Sequence, residues 1–214
     1  MLSSRQEEYR KALAIAKTQF LHSSPILEQC RIAGAEWEPL PQGGIIHLPF
    51  FNTTCEITVP DFEFHLRKGD DSISLSNQVL TVHYLNGVKD IPLTHKTVSF
   101  KDIPSGAFYY PAFAQRSINP LLQTFGQYPQ TLECAAEQLG GEPARGGDLG
   151  ITLRVFPKAP VTLLFWLGDE EFPPDLTMLF DATIQEFLST EDIAVMSQEV
   201  MVRMIRSFYS GFKK

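Results

Sequence analysis

The sequence has no run of about 18 apolar residues, the least that lets a helix cross a bilayer, so no membrane span is expected. Cysteine is scarce. Cys30, Cys55 and Cys134 are odd in number, far apart and without a CxxC pair. That set fits neither a disulfide framework nor a zinc site, and the expectation is buried or half-buried thiols that pack as small hydrophobes. The five histidines (His22, His47, His65, His83, His95) contain no HxH pair and no HExxH helix, so no metal site is expected. No serine sits in a GxSxG elbow. Gly140-Gly141 and Gly146-Gly147 lack the Lys-Ser/Thr or strand-to-helix setting of a phosphate loop, and read as a helix cap and a flexible link. Positive charge is in deficit: 18 Lys and Arg against 25 Asp and Glu give a net charge of -7. Such a chain repels phosphate backbones, so nucleic acid is not an expected partner. The first residues, MLSSRQEEYRKALAIAK, put charges where a signal peptide needs a continuous apolar region, and a cytoplasmic location is the expectation.

What is present is the composition of a folded globular protein, 43% hydrophobic and 20% charged over 214 residues. No repeat, low-complexity tract or linker interrupts it, so one domain over 1–214 is the economical reading. Tyr9, Leu13, Ala16 and Phe20 recur at helical spacing. Ser24 reads as the N-cap of a short second helix with Pro25 at its first position and Gly34 as its stop. From Trp37 the texture changes to turns and short strands: 45–51, 55–59 and 62–66, a charged turn at 67–71, and a further strand suggested by Ile73 and Leu75. Their short connections predict an antiparallel meander.

Ser76 can cap a helix running to about Asn86, stopped by Gly87. Val98 to Phe100 read as extended, Ala112 to Ser117 as helical, and Asn119-Pro120 as a restart ended by Gly126. A helix from Pro129 turns Leu132, Ala135, Ala136 and Leu139 inward. Two strands follow, 149–156 and 161–167. The second, VTLLFWL, is so nearly all apolar that it predicts a strand covered on both faces at the centre of the sheet. Residues 176–180 read as another strand, and Thr190 as the cap of a last helix with Ile193, Met196, Val200, Met204, Ile205 and Phe208 inward. The fold class is α+β: a mainly antiparallel sheet with helices packed against it.

Two stretches stand out as candidate sites. Gly168-Asp169-Glu170-Glu171-Phe172-Pro173-Pro174 leaves the most apolar strand with three consecutive acids on a proline-restricted backbone. Asp169, Glu170 and Glu171 could bind a cation, hold an amine or act as acid–base groups, each raising the pKa of the next. A solvated loop is the plainer reading. The second stretch runs from Phe108 through Tyr109, Tyr110 and Pro111 to Arg116. There, aromatics could line a pocket and Arg116 grip an anion, or pair with the acids near Asp169; an aromatic hinge packed on the sheet is the plainer reading. Lys158, in the turn after Phe156-Pro157, is a further candidate for holding an anionic substrate.

VHYLNG at 82–87, VSFKDIPSGAFYYPAF at 98–113, Pro120-Leu121 and FPKAPVTLLFWLGDEEFPPDLTMLFD at 156–181 together resemble domain of unknown function 3786, a family of anaerobic bacteria and archaea. The resemblance covers nearly the whole chain, with WLGDEEFPP and LFD as its most specific parts. It carries over no activity, catalytic residue or cofactor. Some relatives look like fusions with a four-cysteine iron–sulfur module of corrinoid and electron-transfer proteins; this chain has too few cysteines to build one. The absence of any nucleophile–base or metal motif and the proline-flanked acidic loop point to a binding or accessory protein that recognises a cofactor, small molecule or protein partner, and the resemblance implies a link to that anaerobic iron–sulfur and corrinoid metabolism. The alternatives are an enzyme using the 169–171 carboxylates as acid–base on a small anionic substrate, and a purely structural interaction domain.

Overall fold

The computed structural model describes residues 4–23, 25–67 and 73–211. The chain divides into two compact units, one of Met1–Pro92, Phe156–Lys158 and Glu186–Leu188, the other of Leu93–Val155, Ala159–Gln185 and Ser189–Lys214. Together their elements make an α+β protein with two antiparallel sheets.

In the first unit, helix α1 (Ser4–His22) buries Leu13, Ala16 and Phe20, the face that periodicity predicts. Helix α2 (Ile26–Ala33) ends at Gly34, which takes the left-handed φ of 72° that glycine adopts without strain. The cap expected at Ser24 lies outside the described residues. Strands β1 (Glu36–Leu40), β2 (Gly43–Phe50), β3 (Thr53–Val59) and β4 (Phe64–Leu66) form an antiparallel meander, as expected, in the order β1-β2-β3-β4, with β1 an edge strand where the sequence reads as turn. Ile46, Leu48 and Phe50 of β2 and Cys55, Ile57 and Val59 of β3 alternate inward. The charged turn at 67–71 lies outside the described residues beyond Arg67.

No strand forms at Ile73 and Leu75: Leu75 instead opens helix α3 (Leu75–Gly87). The cap is Ser74, not Ser76, with its hydroxyl accepting from Asn77 N at 3.3 Å. Helix α3 is buried nearly all round (Val79, Leu80, Thr81, Val82, Tyr84, Leu85), while His83, expected inward, is half-buried. Gly87 is the last helical residue, and a side chain there would meet Phe187 O at 2.3 Å.

The second unit opens with β5 (Thr97–Ser99) and a single 3-10 turn, Phe100–Asp102. Helix α4 (Gly106–Phe113) starts earlier than predicted and takes in Phe108 to Pro111. It runs through a π turn, Ala114–Ile118, into α5 (Asn119–Phe125), so a new α segment does open at Asn119-Pro120 and end at Gly126, but without a break in the helical path and without a cap from Asn119. The π turn has a cause. Pro120 lacks an N–H, and its ring would strike the carbonyl four residues back; one wide turn, with Asn119 N donating to Ala114 O, relieves the clash. Ser117 in this turn is buried, and its hydroxyl has no partner among the described residues. An unsatisfied buried hydroxyl costs about 1–3 kcal/mol. Ser117→Ala should therefore leave stability unchanged or raise it by about 1 kcal/mol; a clear loss in urea unfolding would contradict this account.

Helix α6 (Gln130–Glu137) buries Leu132, Ala135 and Ala136, while Leu139 is half-buried beyond its end. The sheet of this unit has the order β5-β9-β8-β7-β6, with β6 (Glu142–Pro143), β7 (Leu149–Phe156), β8 (Ala159–Trp166) and β9 (Asp175–Asp181). VTLLFWL thus forms the central strand, as predicted. Coverage of both faces does not hold in full: Val161, Leu163 and Phe165 are buried, Thr162 and Leu164 half-buried, and Trp166 and Leu167 exposed. Helix α7 (Thr190–Gly211) turns Ile193, Met196, Val200, Met204 and Phe208 inward, with Ile205 half-buried. The cap is Ser189 rather than Thr190. Its hydroxyl accepts from Asp192 N at 3.1 Å while the Asp192 carboxylate accepts from Ser189 N and Oγ, a reciprocal box.

Candidate functional site

The acidic stretch is the connection between β8 and β9 and stands at the rim of the second sheet. Asp169 shapes it. One oxygen, Oδ1, accepts from Glu171 N at 2.8 Å and Phe172 N at 2.7 Å, and Asp169 N donates to Phe172 O at 2.9 Å. The loop closes under itself: a side chain at Gly168 would come within 2.7 Å of Pro174 Cδ. The mutual pKa elevation expected of three adjacent acids does not occur at Asp169. The N–H donors of Phe172 and Glu171 favour its charged form and hold its carboxyl below the usual aspartate value. A carboxylate committed to its own backbone fixes a loop. Glu170 and Glu171 extend into solvent, and no side chain pairs with them among the described residues.

Tyr109, Tyr110 and Arg116 lie on one helical segment. Tyr110 is half-buried, with Lys101 Nζ 4.1 Å over its ring centre and Phe113 beside it. Tyr109 and Phe108 meet edge to face at 5.1 Å and are 54% and 81% exposed, so this is not a hinge folded onto the sheet. Arg116 is exposed on the π turn and forms no ion pair among the described residues, with the acids near Asp169 or with any other. The loop and the helical segment do touch elsewhere: Pro174 lies against Gly126, where a side chain would meet its Cγ at 3.2 Å.

Lys158 belongs to the first unit. Its Nζ donates to Lys89 O at 2.7 Å and lies 3.8 Å from Asp90, which also pairs with Arg31 at 2.8 Å. Among the thiols, Cys30 and Cys55 are buried as expected, and burial pushes the Cys30 thiol up to about 11. Cys134 is exposed instead, at the edge of a shallow groove of about 180 Å³ between α6 and α7, which also involves Thr131, Gln138 and Phe208. None of the residues singled out in the sequence as ligand-binding candidates lines that groove.

A family model described as a domain of unknown function (DUF3786) matches residues 26–204, most of the chain. The chain belongs to this family. No curated protein and no solved structure matches it. In this DUF3786 chain the acidic signature, WLGDEEFPP, is thus a hairpin tip with a locked backbone. Sequence reasoning passed over the apolar members of that tip: Trp166, Leu167 and Phe172 are 38%, 50% and 68% exposed. The available signal was Phe172, an aromatic between two acids and two prolines, where no helical or strand period can turn it inward. No described helix of this DUF3786 chain is long and apolar enough to cross a membrane.

Proposed function

We propose that this chain is a non-catalytic binding or accessory protein that docks a protein partner through the tip of the β8–β9 hairpin. The observation that carries the reading is the composition of that tip: two carboxylates, Glu170 and Glu171, unpaired among the described residues, beside the exposed Phe172, Leu167 and Trp166. An aromatic anchor flanked by like charges is suited to a small apolar recess with a basic rim. The aromatic supplies buried area, and the carboxylates supply orientation and steering. Because Asp169 holds the backbone in shape, little conformational entropy is lost on docking.

A photo-crosslinking amino acid at position 172, expressed in the source organism, tests this reading. One discrete adduct is expected. It should be depleted about tenfold when Glu170 and Glu171 are both replaced by lysine, while the melting temperature stays put. A smear of adducts, or an adduct indifferent to the charge reversal, would remove the support for a docking tip.

A further inference from the structure

The helical segment that Pro174 abuts is unusual in its own right. Residues 106–125, GAFYYPAFAQRSINPLLQTF, contain one charged residue, Arg116. At the chain's 20% charged composition, a stretch of this length would carry about four. Burial does not account for the shortfall, because the segment keeps an exposed stripe along its length: Phe108, Tyr109, Ala112, Gln115, Arg116 and Asn119. A solvent-facing helix is ordinarily rich in charge. Exposed aromatics combined with depletion of charge mark the core of a protein interface.

We infer that this stripe receives the β8–β9 tip of a second copy of the same chain, in a two-fold symmetric dimer. Two observations select that occupant. The first is charge: the stripe offers one cation, Arg116, and the tip offers Glu170 and Glu171, all three without ion-pair partners among the described residues, with aromatics exposed on both sides. The second is placement. The tip is seated by Pro174 at Gly126, at one end of the segment, and Phe108 and Tyr109 lie at the other. At about 1.5 Å per residue these ends are roughly 27 Å apart. Two such segments set side by side, antiparallel and offset so that Arg116 of each lies beside Gly126 of the other, bring the tip of each chain onto the other's arginine, with Tyr109 and Phe108 beyond it. Both contacts then form at once, as an isologous interface requires. The inference rests on reading the tip as a docking element and names its partner.

Sedimentation equilibrium of the full chain and of three variants provides the test. The wild type is expected at twice the chain mass at micromolar concentration. Arg116→Glu alone, and Glu170→Arg with Glu171→Arg, should each weaken the dimer about tenfold or more, because both symmetric contacts become like-charged. Mixing those two variants should restore a dimer, since every contact then pairs opposite charges again, and so should combining all three substitutions in one chain. Unchanged circular dichroism and melting temperature in each variant confirm folding. A wild type that stays monomeric at 100 micromolar (about the top of the range such a contact would need), a dimer indifferent to either reversal, or failure of the mixed rescue would each overturn the inference. If the chain is monomeric yet position 172 yields a charge-dependent adduct with another protein, the second copy falls while the docking tip stands. If position 172 yields no such adduct, both fall.

Discussion

Replacing Asp181 with alanine is expected to destabilise the second unit by about 3–4 kcal/mol, well beyond the ordinary effect of a single substitution. Asp181 ends β9 and is 6% exposed, yet its carboxylate is fully used. Oδ1 accepts from Thr94 N and Oγ1 at 3.2 and 3.0 Å and from Thr183 N and Oγ1 at 3.0 and 2.8 Å, while Oδ2 accepts from His95 N at 2.6 Å. These bonds hold His95 at a φ of 58°, a conformation that costs a non-glycine residue about 1 kcal/mol. Alanine would leave three backbone donors without an acceptor. Asparagine keeps one oxygen but sets an NH2 against the His95 N–H, so Asp181→Asn should fall between the two. Burial alone would raise this carboxyl, but the donors of Thr183 and Thr94 outweigh it and hold the folded value below the usual 3.8. A lowered folded value means that the stabilisation is complete above the unfolded value of 3.8 and disappears as pH falls through the folded value. The gap between wild type and Asp181→Ala in urea unfolding should therefore be constant at neutral pH and narrow in strong acid. A gap that persists unchanged there, or an Asp181→Ala chain as stable as the wild type, would contradict the assignment.

That residue also marks where the sequence could be read and where it could not. LFD at 179–181 is one of the signatures on which the family resemblance rests, and its aspartate shows itself as a hydrogen-bonding hub only once the partners at 94–95 and 183 are brought to it. The helices with a clear period, α1 and α7, were legible because apolar residues at spacings of three and four leave one face to bury. So was the position of β8, because an apolar run of that length fits the middle of a sheet. The misreadings share a cause: short local signals outweighed by tertiary context. Ile73 and Leu75 look like alternating strand residues, but Ser74 between them is a hydrogen-bonded cap. Pro111 precedes the stretch read as helical over Ala112 to Ser117, yet it lies inside α4, which opens at Gly106, where an added side chain would come within 1.8 Å of Phe100 O.

The candidate residues divide along the same line. Spacing along the chain put three carboxylates at a strand exit, and they are there, but it could not tell that one folds back on its own N–H groups while two face solvent. Nor could it tell that Arg116 and the acids are unpaired with each other within the chain, because that depends on the π turn that Pro120 forces. A single charge in twenty residues, by contrast, was in plain view and reads as an interface only after the structure shows the stripe to be exposed.

Lys158 leads to the second large effect, which belongs to its neighbour. Tyr84, in the VHYLNG signature, is 0% exposed; its ring stacks on Phe156 with centres 4.5 Å apart and meets Phe187 edge-on at 6.0 Å. Its hydroxyl donates to Ala33 O at 2.8 Å, one of the terminal carbonyls of α2, and accepts from the backbone N–H of Lys158 at 3.2 Å. Burial lifts the phenol far above its ordinary range, although the Lys158 N–H opposes this, so the group stays a donor wherever the unit is folded. Tyr84→Phe should cost about 2 kcal/mol, since a buried carbonyl and a buried N–H lose their common partner. Tyr84→Ala should cost about 4–5 kcal/mol, because a cavity is added where the ring stacked. Lys158→Ala retains the backbone N–H and removes only a half-buried ammonium, so it should cost under about 1 kcal/mol. Denaturant unfolding should rank Tyr84→Ala as the most severe, Tyr84→Phe next and Lys158→Ala last, an order that separates a structural hydroxyl from a lysine kept for an anionic ligand. Were Lys158→Ala as damaging as Tyr84→Phe, the side chain and not the hydroxyl would be what the turn is built around.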